Sequence, residues 1–277
     1  MRINHNIASY NTQRQLSFNN TQQGKSLEKL SSGYRINRAA DDAAGLAISE
    51  KMRNQIRGLE QASKNSLDGI SMIQTAEGAL NETHSMLQRM GELFTQAANE
   101  VLTTTDTAKI KSEVDELSKQ IDAIANQTQF NTKKLLDGST TTVKFQVGAN
   151  KGETIDLTLQ TMKATTLLVG TADLKDITVD GATHANAVDN LEAVQNAINT
   201  VSGARSNLGA VQNRLEHTIN NLGTTAENLQ AAESRIRDVD MAKEMSEFTK
   251  NGILQQAATA MLAQANQQPQ GVLQLLR

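Results

Sequence analysis

The chain has 277 residues, a formal net charge of −3 and 38% hydrophobic residues, but only 3% aromatic residues, one proline and no cysteine. The lack of cysteine excludes disulfides, thiolate metal sites and a cysteine nucleophile, and the slight acidic excess argues against a nucleic-acid-binding surface. So few aromatic side chains cannot supply the core of a typical compact enzyme, whereas a single proline leaves long uninterrupted helices permitted.

The first predicted helix covers residues 4–32 and ends at Gly33, a residue type that often follows the last helical turn in the left-handed conformation. Residues 33–41 form a connector. Asp41 and Asp42 then provide a capping carboxylate and a favourable charge at the start of the next helix. Because Arg35 and Arg38 lie nearby in the sequence, local ion pairing and capping explain the two aspartates better than a catalytic carboxylate pair does.

The second predicted helix is the longest and covers about residues 42–99. Its apolar residues recur every three or four positions, which is typical of helices that pack side by side; they include Met52, Ile56, Leu59, Ile70, Ile73, Leu80, Leu87 and Phe94. A helix of this length would measure on the order of 87 Å at about 1.5 Å per residue, which predicts a rod. A third helix is predicted from about Asp106 to Asn126.

Residues 138–186 differ in residue pattern from the predicted helical segments on both sides, and they are predicted to form a small β insert. Alternating apolar residues at 143–147 and 154–159, separated by a glycine-containing turn, predict a β-hairpin. Residues 167–179 carry a weaker strand signal. Helical periodicity returns at 191–236 and continues, with shifted phase, through residues 241–265.

These elements predict a mainly α fold: a long antiparallel helical bundle or coiled-coil rod with a small β-hairpin insert and with the N- and C-terminal helices paired. The break near residues 238–240 matches the connector at residues 33–41. We therefore predict that residues 1–40 and 239–277 form one part of the molecule and residues 41–238 the other.

Both ends of the chain are unusually poor in charge. Residues 251–276 contain no Asp, Glu, Lys or Arg, and residues 1–24 contain only Arg2 and Arg14 as charged side chains. One interpretation is a frayed, sticky terminus at each end. The other is that both ends pair and become buried between copies of the same chain, and a repeated heterologous contact of that kind generates a helical filament.

No catalytic, metal or cofactor site is predicted. The histidines His5, His84, His184 and His217 lie in separate segments without the spacing of metal ligands, and no nucleophile is paired with a base. No stretch approaches the roughly 18 apolar residues of a membrane span. Residues 1–30 lack the apolar region of a secretory signal peptide, so we expect export without a cleaved leader.

The two ends nevertheless resemble a known family, bacterial flagellin, over roughly residues 1–138 and 190–277. The middle is short and lacks the large outer domains that some flagellins carry. The matching text includes MRINHNIA at 1–8, LEKLSSGYRIN at 27–37, ADDAAGLAI at 40–48, GISMIQTAEGAL at 69–80, LGAVQNRL at 208–215, AESRIRD at 232–238, LAQANQ at 262–267 and LQLLR at 273–277.

The resemblance implies a structural subunit that polymerises into the flagellar filament and is exported through the flagellar type III apparatus to the cell exterior. Residues 1–40 and 239–277 would form an inner coiled-coil layer, and 41–238 an outer helical layer. An export chaperone would bind the region 239–277, and cap and hook-junction proteins would be further partners. An alternative is a junction or needle-like component of a related secretion apparatus. The residues expected to pack between subunits are Ile3, Ile7, Tyr10, Met261, Leu262, Leu273 and Leu276.

The resemblance also implies a surface that binds the innate immune receptor Toll-like receptor 5. Arg89 would contribute charge and planar donors, and Leu93 apolar area. Gly91 departs from the family pattern, which commonly has an arginine there. The alternative role of the same face is packing against neighbouring subunits. The matching positions are Leu87, Gln88, Arg89, Glu92 and Leu93, with Glu113 on the adjacent helix.

Overall fold

The computed structural model of the chain describes residues 6–99, 101–168 and 184–275. Helices dominate these residues, and the strands form two small antiparallel hairpins. The elements, in chain order, are α1 (Ile7–Ser32), α2 (Ala43–Ala97), α3 (Thr104–Gln127), β1 (Gln129–Phe130), β2 (Lys133–Lys134), β3 (Thr142–Gln146), β4 (Thr154–Thr158), α4 (Ala164–Leu167), α5 (His184–Arg237) and α6 (Met241–Leu275).

The mainly α fold, the hairpin insert and the paired terminal helices are therefore confirmed. The chain forms two compact units: residues 1–56 with 227–277, and residues 57–226. The first unit contains α1, α6 and the adjoining ends of α2 and α5. The second contains the rest of α2 and α5 together with α3, α4 and the hairpins.

The helix ends follow the capping chemistry predicted from the sequence. Gly33 ends α1 at φ 75°, and its backbone N–H donates to Lys29 O at 2.9 Å. At the start of α2, Asp42 Oδ1 accepts from Gly45 N at 2.8 Å. At the start of α3, the Asp106 carboxylate accepts from the Thr103 hydroxyl at 2.6 Å, and this hydrogen bond lowers the pKa of Asp106.

The core of the second unit lies where α2, α3, α5 and the β3–β4 hairpin meet. The apolar stripe predicted on the second helix supplies its centre, and α5 faces it with a matching stripe. Each fully buried aliphatic side chain contributes roughly 1.5–3 kcal/mol. Completely or nearly completely buried members are Ile73, Leu80, Leu87, Met90, Val114, Ile121, Leu135, Leu136, Leu157, Val201 and Leu215.

Two glycines of α2 let the β3–β4 hairpin approach the helix closely. A Cβ added at Gly58 would lie 2.8 Å from the Ala149 Cβ in the hairpin turn, and one at Gly69 would lie 3.2 Å from the Phe145 ring. The structure shows that the hairpin is the closest neighbour of both, with Leu215 of α5 also 3.3 Å from the Gly69 position.

The predicted β-hairpin is confirmed, with Val143 paired to Leu157 and Phe145 to Ile155. The weak strand signal at 167–179 is wrong where it can be judged, since Leu167 ends the short helix α4; residues 169–179 lie outside the described residues. The β1–β2 hairpin was missed because its turn contains no glycine. Its central residues, Asn131 at φ 47° and Thr132 at φ 67°, both adopt positive φ as a type I′ turn requires.

The left-handed conformation of Gly33 makes a substitution there costly. We expect Gly33→Ala to lower the free energy of unfolding by about 1–2 kcal/mol, because a Cβ is disfavoured at positive φ. Gly24→Ala is the matched control, since Gly24 lies within α1 with open space around its Cβ position and should gain about 1 kcal/mol in helix propensity. Urea unfolding followed by circular dichroism measures both; equal effects of the two changes would contradict this account.

Asp41 makes the connector between α1 and α2 sensitive to acid. Its carboxylate accepts from the backbone N–H groups of Arg38 at 3.0 Å and Asn37 at 3.2 Å, and the Arg38 bond is the main cause of its lowered pKa. A carboxyl whose pKa is lower in the folded state stabilises the fold above its unfolded-state pKa of about 3.9. We expect wild type to exceed Asp41→Asn in stability at pH 7, and the difference to vanish as the pH falls through the folded-state pKa. Urea unfolding between pH 7 and pH 3 tests this; a difference that grows in acid would contradict it.

Candidate assembly surface

Helices α1 and α6 form an antiparallel pair in the first unit. The Asn6 side-chain amide donates to Ala265 O at 2.7 Å near one end of the pair. Near the other end, Lys29 Nζ lies 3.8 Å from Glu244 Oε2. Partner positions thus run in opposite directions along the two helices over nearly the whole of α1.

The fully buried positions of the seam between these helices carry small or polar side chains, and the large apolar residues closest to them in phase are only half-buried: Leu16, Leu30, Phe248 and Leu262. The buried residues of α1 are Asn19 and Ser26, seven positions apart, and Ala258 and Ala265 of α6 show the same spacing. A seven-residue repeat is typical of coiled-coil packing. Because these side chains remove little apolar area from water, the seam contributes much less stability than a leucine-rich seam would.

None of the large hydrophobic residues in the described parts of α1 and α6 is fully buried. Nine of them in the described parts of α1 and α6 are 41–70% exposed. Isolated exposed hydrophobic residues are ordinary, but a concentration of them marks an interaction surface. We call this set the outer apolar surface: Ile7, Tyr10, Phe18, Leu27, Met241, Met245, Ile253, Leu254 and Met261.

A groove on α6 forms part of the outer apolar surface. Successive turns of the helix line it, with Met245, Ile253 and Leu254 as its large apolar residues and Lys250 as its charged residue. A helix whose apolar residues occur on more than one side is normally surrounded by other protein. α6 has this character, since α1 covers only one side of it.

Two backbone hydrogen bonds join the segments that follow α1 and precede α6. Arg35 N donates to Arg237 O at 2.6 Å, and Val239 N donates to Gly33 O at 3.0 Å. They flank an antiparallel bridge between Tyr34 and Asp238. The connector predicted at 33–41 and the break predicted at 238–240 are therefore in direct contact.

Charged side chains reinforce this junction within the chain. The Arg237 guanidinium lies 4.7 Å from the centre of the Tyr34 ring and 3.2 Å from Glu50 Oε1. Arg53 pairs with Glu233 at 3.1 Å. Both Glu233 and Arg237 are paired within the chain and mostly buried, with side chains 14% and 13% exposed.

The arginines near Asp41 and Asp42 do not pair with them as the sequence suggested. Arg35 donates to the backbone oxygen of Ile236, and Arg38 pairs with Glu28 at 2.9 Å. The two aspartates instead accept from backbone N–H groups. Capping was predicted correctly and ion pairing was wrong, because the fold places other carboxylates and carbonyls closer to these guanidinium groups.

The residues predicted to pack between subunits fall into three groups. Ile7, Tyr10 and Met261 belong to the outer apolar surface, and Leu262 is half-buried. Leu273 lies within α6, but its side chain lies outside the described residues, as do Ile3 and Leu276 altogether. Sequence reasoning missed Phe18, Leu27, Met241, Met245, Ile253 and Leu254. The signal that could have found them is their position off the seven-residue seam.

The predicted receptor-binding patch is divided between surface and core. Arg89 lies at the surface, 2.9 Å from Glu113 and 3.1 Å from Glu92, and the hydrogen bond that it donates to Glu113 is the main cause of its raised pKa. Gln88 is exposed and lies 3.1 Å from the His84 ring. Leu87 and Leu93 are 0% and 2% exposed. The expectation that Leu93 offers apolar area is therefore corrected, since this leucine, like Leu87, belongs to the core of the second unit.

Other kinds of site are not found in the part of the chain that the structure describes. No group of three or more His, Cys, Asp or Glu side chains there is close enough to hold a metal ion. Within the same residues, none of the helices has the length and apolar character that crossing a membrane requires. The outer apolar surface remains the feature that needs a functional explanation.

Comparison with known proteins identifies the family. The profile of the bacterial flagellin N-terminal helical region matches residues 3–141, and that of the C-terminal helical region matches residues 191–276. The chain is similar to the flagellin of Halalkalibacterium halodurans, at 59% identity over 277 residues, and to that of Bacillus subtilis, at 58% over 304 residues, with 100% of this chain and 100% of each relative covered. A crystal structure of Bacillus cereus flagellin matches with a TM-score of 0.49 and 32% identity over 61% of this chain and 94% of that chain. The chain belongs to the bacterial flagellin family.

Proposed function

We propose that the outer apolar surface of α1 and α6 is the contact through which copies of this chain pack in the flagellar filament. As a flagellin, the chain is a structural filament subunit that polymerises with itself, and it is not an enzyme. The proposal concerns which residues make that polymer. The observation that supports it is the distribution of side chains in the helix pair, in which the fully buried residues are small or polar and nine large apolar residues are exposed.

Residues 1–40 and 239–277 form the inner layer of the filament in this proposal, and residues 41–238 form the outer layer. Two observations support a boundary there. The segment that follows α1 and the segment that precedes α6 meet at one point, where Gly33 and Tyr34 contact Asp238 and Val239. The charge-free stretch 251–276 also lies wholly on one side of that boundary, as expected for a segment that other subunits surround.

The same region is the proposed binding site for partners before and during assembly. An export chaperone would cover residues 239–277 while the chain is unassembled, because the α6 groove would otherwise expose Met245, Ile253 and Leu254 to water. The cap and hook-junction proteins would contact the terminal subunits of the filament. Export through the flagellar type III apparatus would place the assembled chain outside the cell.

Recognition by Toll-like receptor 5 is proposed to depend on the polar part of the predicted patch. Arg89 and Glu113 are held in place by the ion pair between α2 and α3, with Gln88 and Glu92 exposed beside them. An arginine oriented by two carboxylates presents planar donors in a defined direction. Leu87 and Leu93 would support this surface from the core rather than contact the receptor.

Charged substitutions on the outer apolar surface test the assembly proposal. Tyr10→Glu or Met261→Glu should reduce the seeded elongation rate by at least about tenfold, because burying an unpaired carboxylate between subunits costs several kcal/mol. Monomer helix content should not change, since both side chains are exposed. Gln61→Glu, at an exposed polar position of α2, is the control and should elongate normally. Electron microscopy of seeded filaments measures the rate; normal growth of both glutamate variants would contradict the proposal.

Removal of residues 251–277 tests the role of α6 as a whole. We expect no filament growth, because α1 loses most of its partner and the groove loses Ile253 and Leu254. The second unit should stay folded, since its core comes from α2, α3, α5 and the β3–β4 hairpin. Circular dichroism and electron microscopy give the two results. Unchanged polymerisation of the truncated chain would contradict the assignment of the inner layer.

Loss of the Arg89 side chain tests the receptor proposal. Arg89→Ala should weaken binding to the receptor ectodomain by about tenfold or more, as for a charged residue at the centre of an interface. Lys119→Ala removes a comparable exposed cation, paired with Glu116 at 2.7 Å, and should bind like wild type. Surface plasmon resonance with monomeric protein compares them. Equal affinities for the three proteins would exclude Arg89 from the contact.

A further inference from the structure

The methionines of the described residues divide into two groups by exposure. Those of the second unit are buried or half-buried, with Met72, Met90 and Met162 at 5%, 0% and 1% exposure. The three methionines in the described part of α6 are all exposed, Met241 at 50%, Met245 at 49% and Met261 at 58%. The exposed thioethers of the described residues are thus confined to the helix that carries the α6 groove.

The position of these three residues connects them to the outer apolar surface. Met241 and Met245 are four residues apart and so lie one above the other on α6, and Met245 lines the groove with Ile253 and Leu254. Met261 lies near the other end of the pair, five residues before Asn266, whose Oδ1 accepts from Ser9 Oγ at 2.8 Å. A flexible thioether suits an interface that several neighbouring side chains complete.

We propose that Met241, Met245 and Met261 form an oxidation-sensitive site that couples assembly of the chain to peroxide. The proposal rests on the assembly role of the outer apolar surface. The unassembled chain offers the three sulfur atoms to solvent. In a filament that buries this surface, the same atoms are protected.

The chemistry is a two-electron oxidation of each thioether by hydrogen peroxide. The sulfur lone pair attacks one peroxide oxygen, a sulfur–oxygen bond forms and the oxygen–oxygen bond breaks. The departing hydroxide takes up a proton and leaves as water, so each methionine and one peroxide give one sulfoxide and one water. The reaction is reversed by methionine sulfoxide reductases, which act on one sulfoxide epimer each.

Oxidation changes what the outer apolar surface can bury. A sulfoxide is polar and accepts hydrogen bonds, whereas Ala242, Ile253 and Leu254, which form the apolar half of the groove lining beside Met245, offer it no side-chain donor. Burial of a polar group without a partner is unfavourable. Sulfoxide formation on free chains should therefore stop their incorporation, while the core methionines keep the second unit folded.

The experiment treats the unassembled full-length chain with dilute hydrogen peroxide and follows two quantities. Peptide mass spectrometry gives the rate of sulfoxide formation at each methionine, and seeded elongation gives assembly. We expect Met241, Met245 and Met261 to oxidise at least about tenfold faster than Met72, Met90 and Met162, because reaction follows exposure. Elongation should fall about tenfold or more and should return after treatment with both reductases.

The variant Met241→Leu/Met245→Leu/Met261→Leu separates this site from other oxidation. Leucine preserves volume and apolar character and cannot form a sulfoxide, so peroxide should not lower the elongation rate of this variant, whatever its rate before treatment. The recovery of elongation after treatment of oxidised wild type with the reductases does not depend on this variant. It therefore tests the inference even if the variant assembles poorly. Assembled filaments should show slow oxidation at the three positions.

The outcomes distinguish this inference from the assembly proposal. Untreated wild type that fails to elongate would contradict the assembly proposal itself. Wild type that elongates equally well before and after oxidation of the three methionines would overturn the present inference alone. The inference would also be overturned if peroxide stopped the triple variant as effectively as wild type, because the remaining methionines would then be responsible.

Discussion

The pairing of α1 with α6 through small and polar side chains is the constraint on which the rest of the molecule depends. Asn19, Ser26, Ala258 and Ala265 occupy the seam, and they remove far less apolar area from water than leucines would. Nine large hydrophobic residues of the pair are exposed instead. The helix pair therefore gains little stability from its fully buried positions, and the proposed assembly would cover its outer apolar surface with other copies of the chain.

The second unit is stabilised by a hydrophobic core of its own. Its core residues come from four elements distant in sequence, and Leu80, Leu87 and Leu215 are almost fully buried without any neighbouring chain. Gly58 and Gly69 bring the β3–β4 hairpin close enough to α2 to close that core. The chain thus combines one unit with a complete core and another whose apolar surface remains open, which suits a subunit that must fold before it assembles.

The junction between residues 33–35 and 237–239 joins the two ends of the chain where the helix pair begins. Backbone hydrogen bonds set the spacing, and the contacts of Arg237 with Tyr34 and Glu50 add charge to it. Because Arg237 and Glu233 are only 13% and 14% exposed, their ion pairs are better shielded from water than those at Arg38 or Lys119. The backbone hydrogen bonds between the two segments and the contacts of Arg237 hold the C-terminal end of α1 and the N-terminal end of α6 together at this point.

The amino-acid sequence by itself determined the helices, their ends at Gly33 and Asp42, the β3–β4 hairpin and the family, because periodicity, caps and turns are local and the matching strings are long. Only the tertiary structure decided which stripe faces the seam, since a helix with apolar residues on several sides does not specify its partner. It moved Leu87 and Leu93 from the expected receptor surface into the core, and it paired Arg38 with Glu28 instead of Asp41. Those outcomes depend on distances between residues far apart in the chain, which local patterns do not contain.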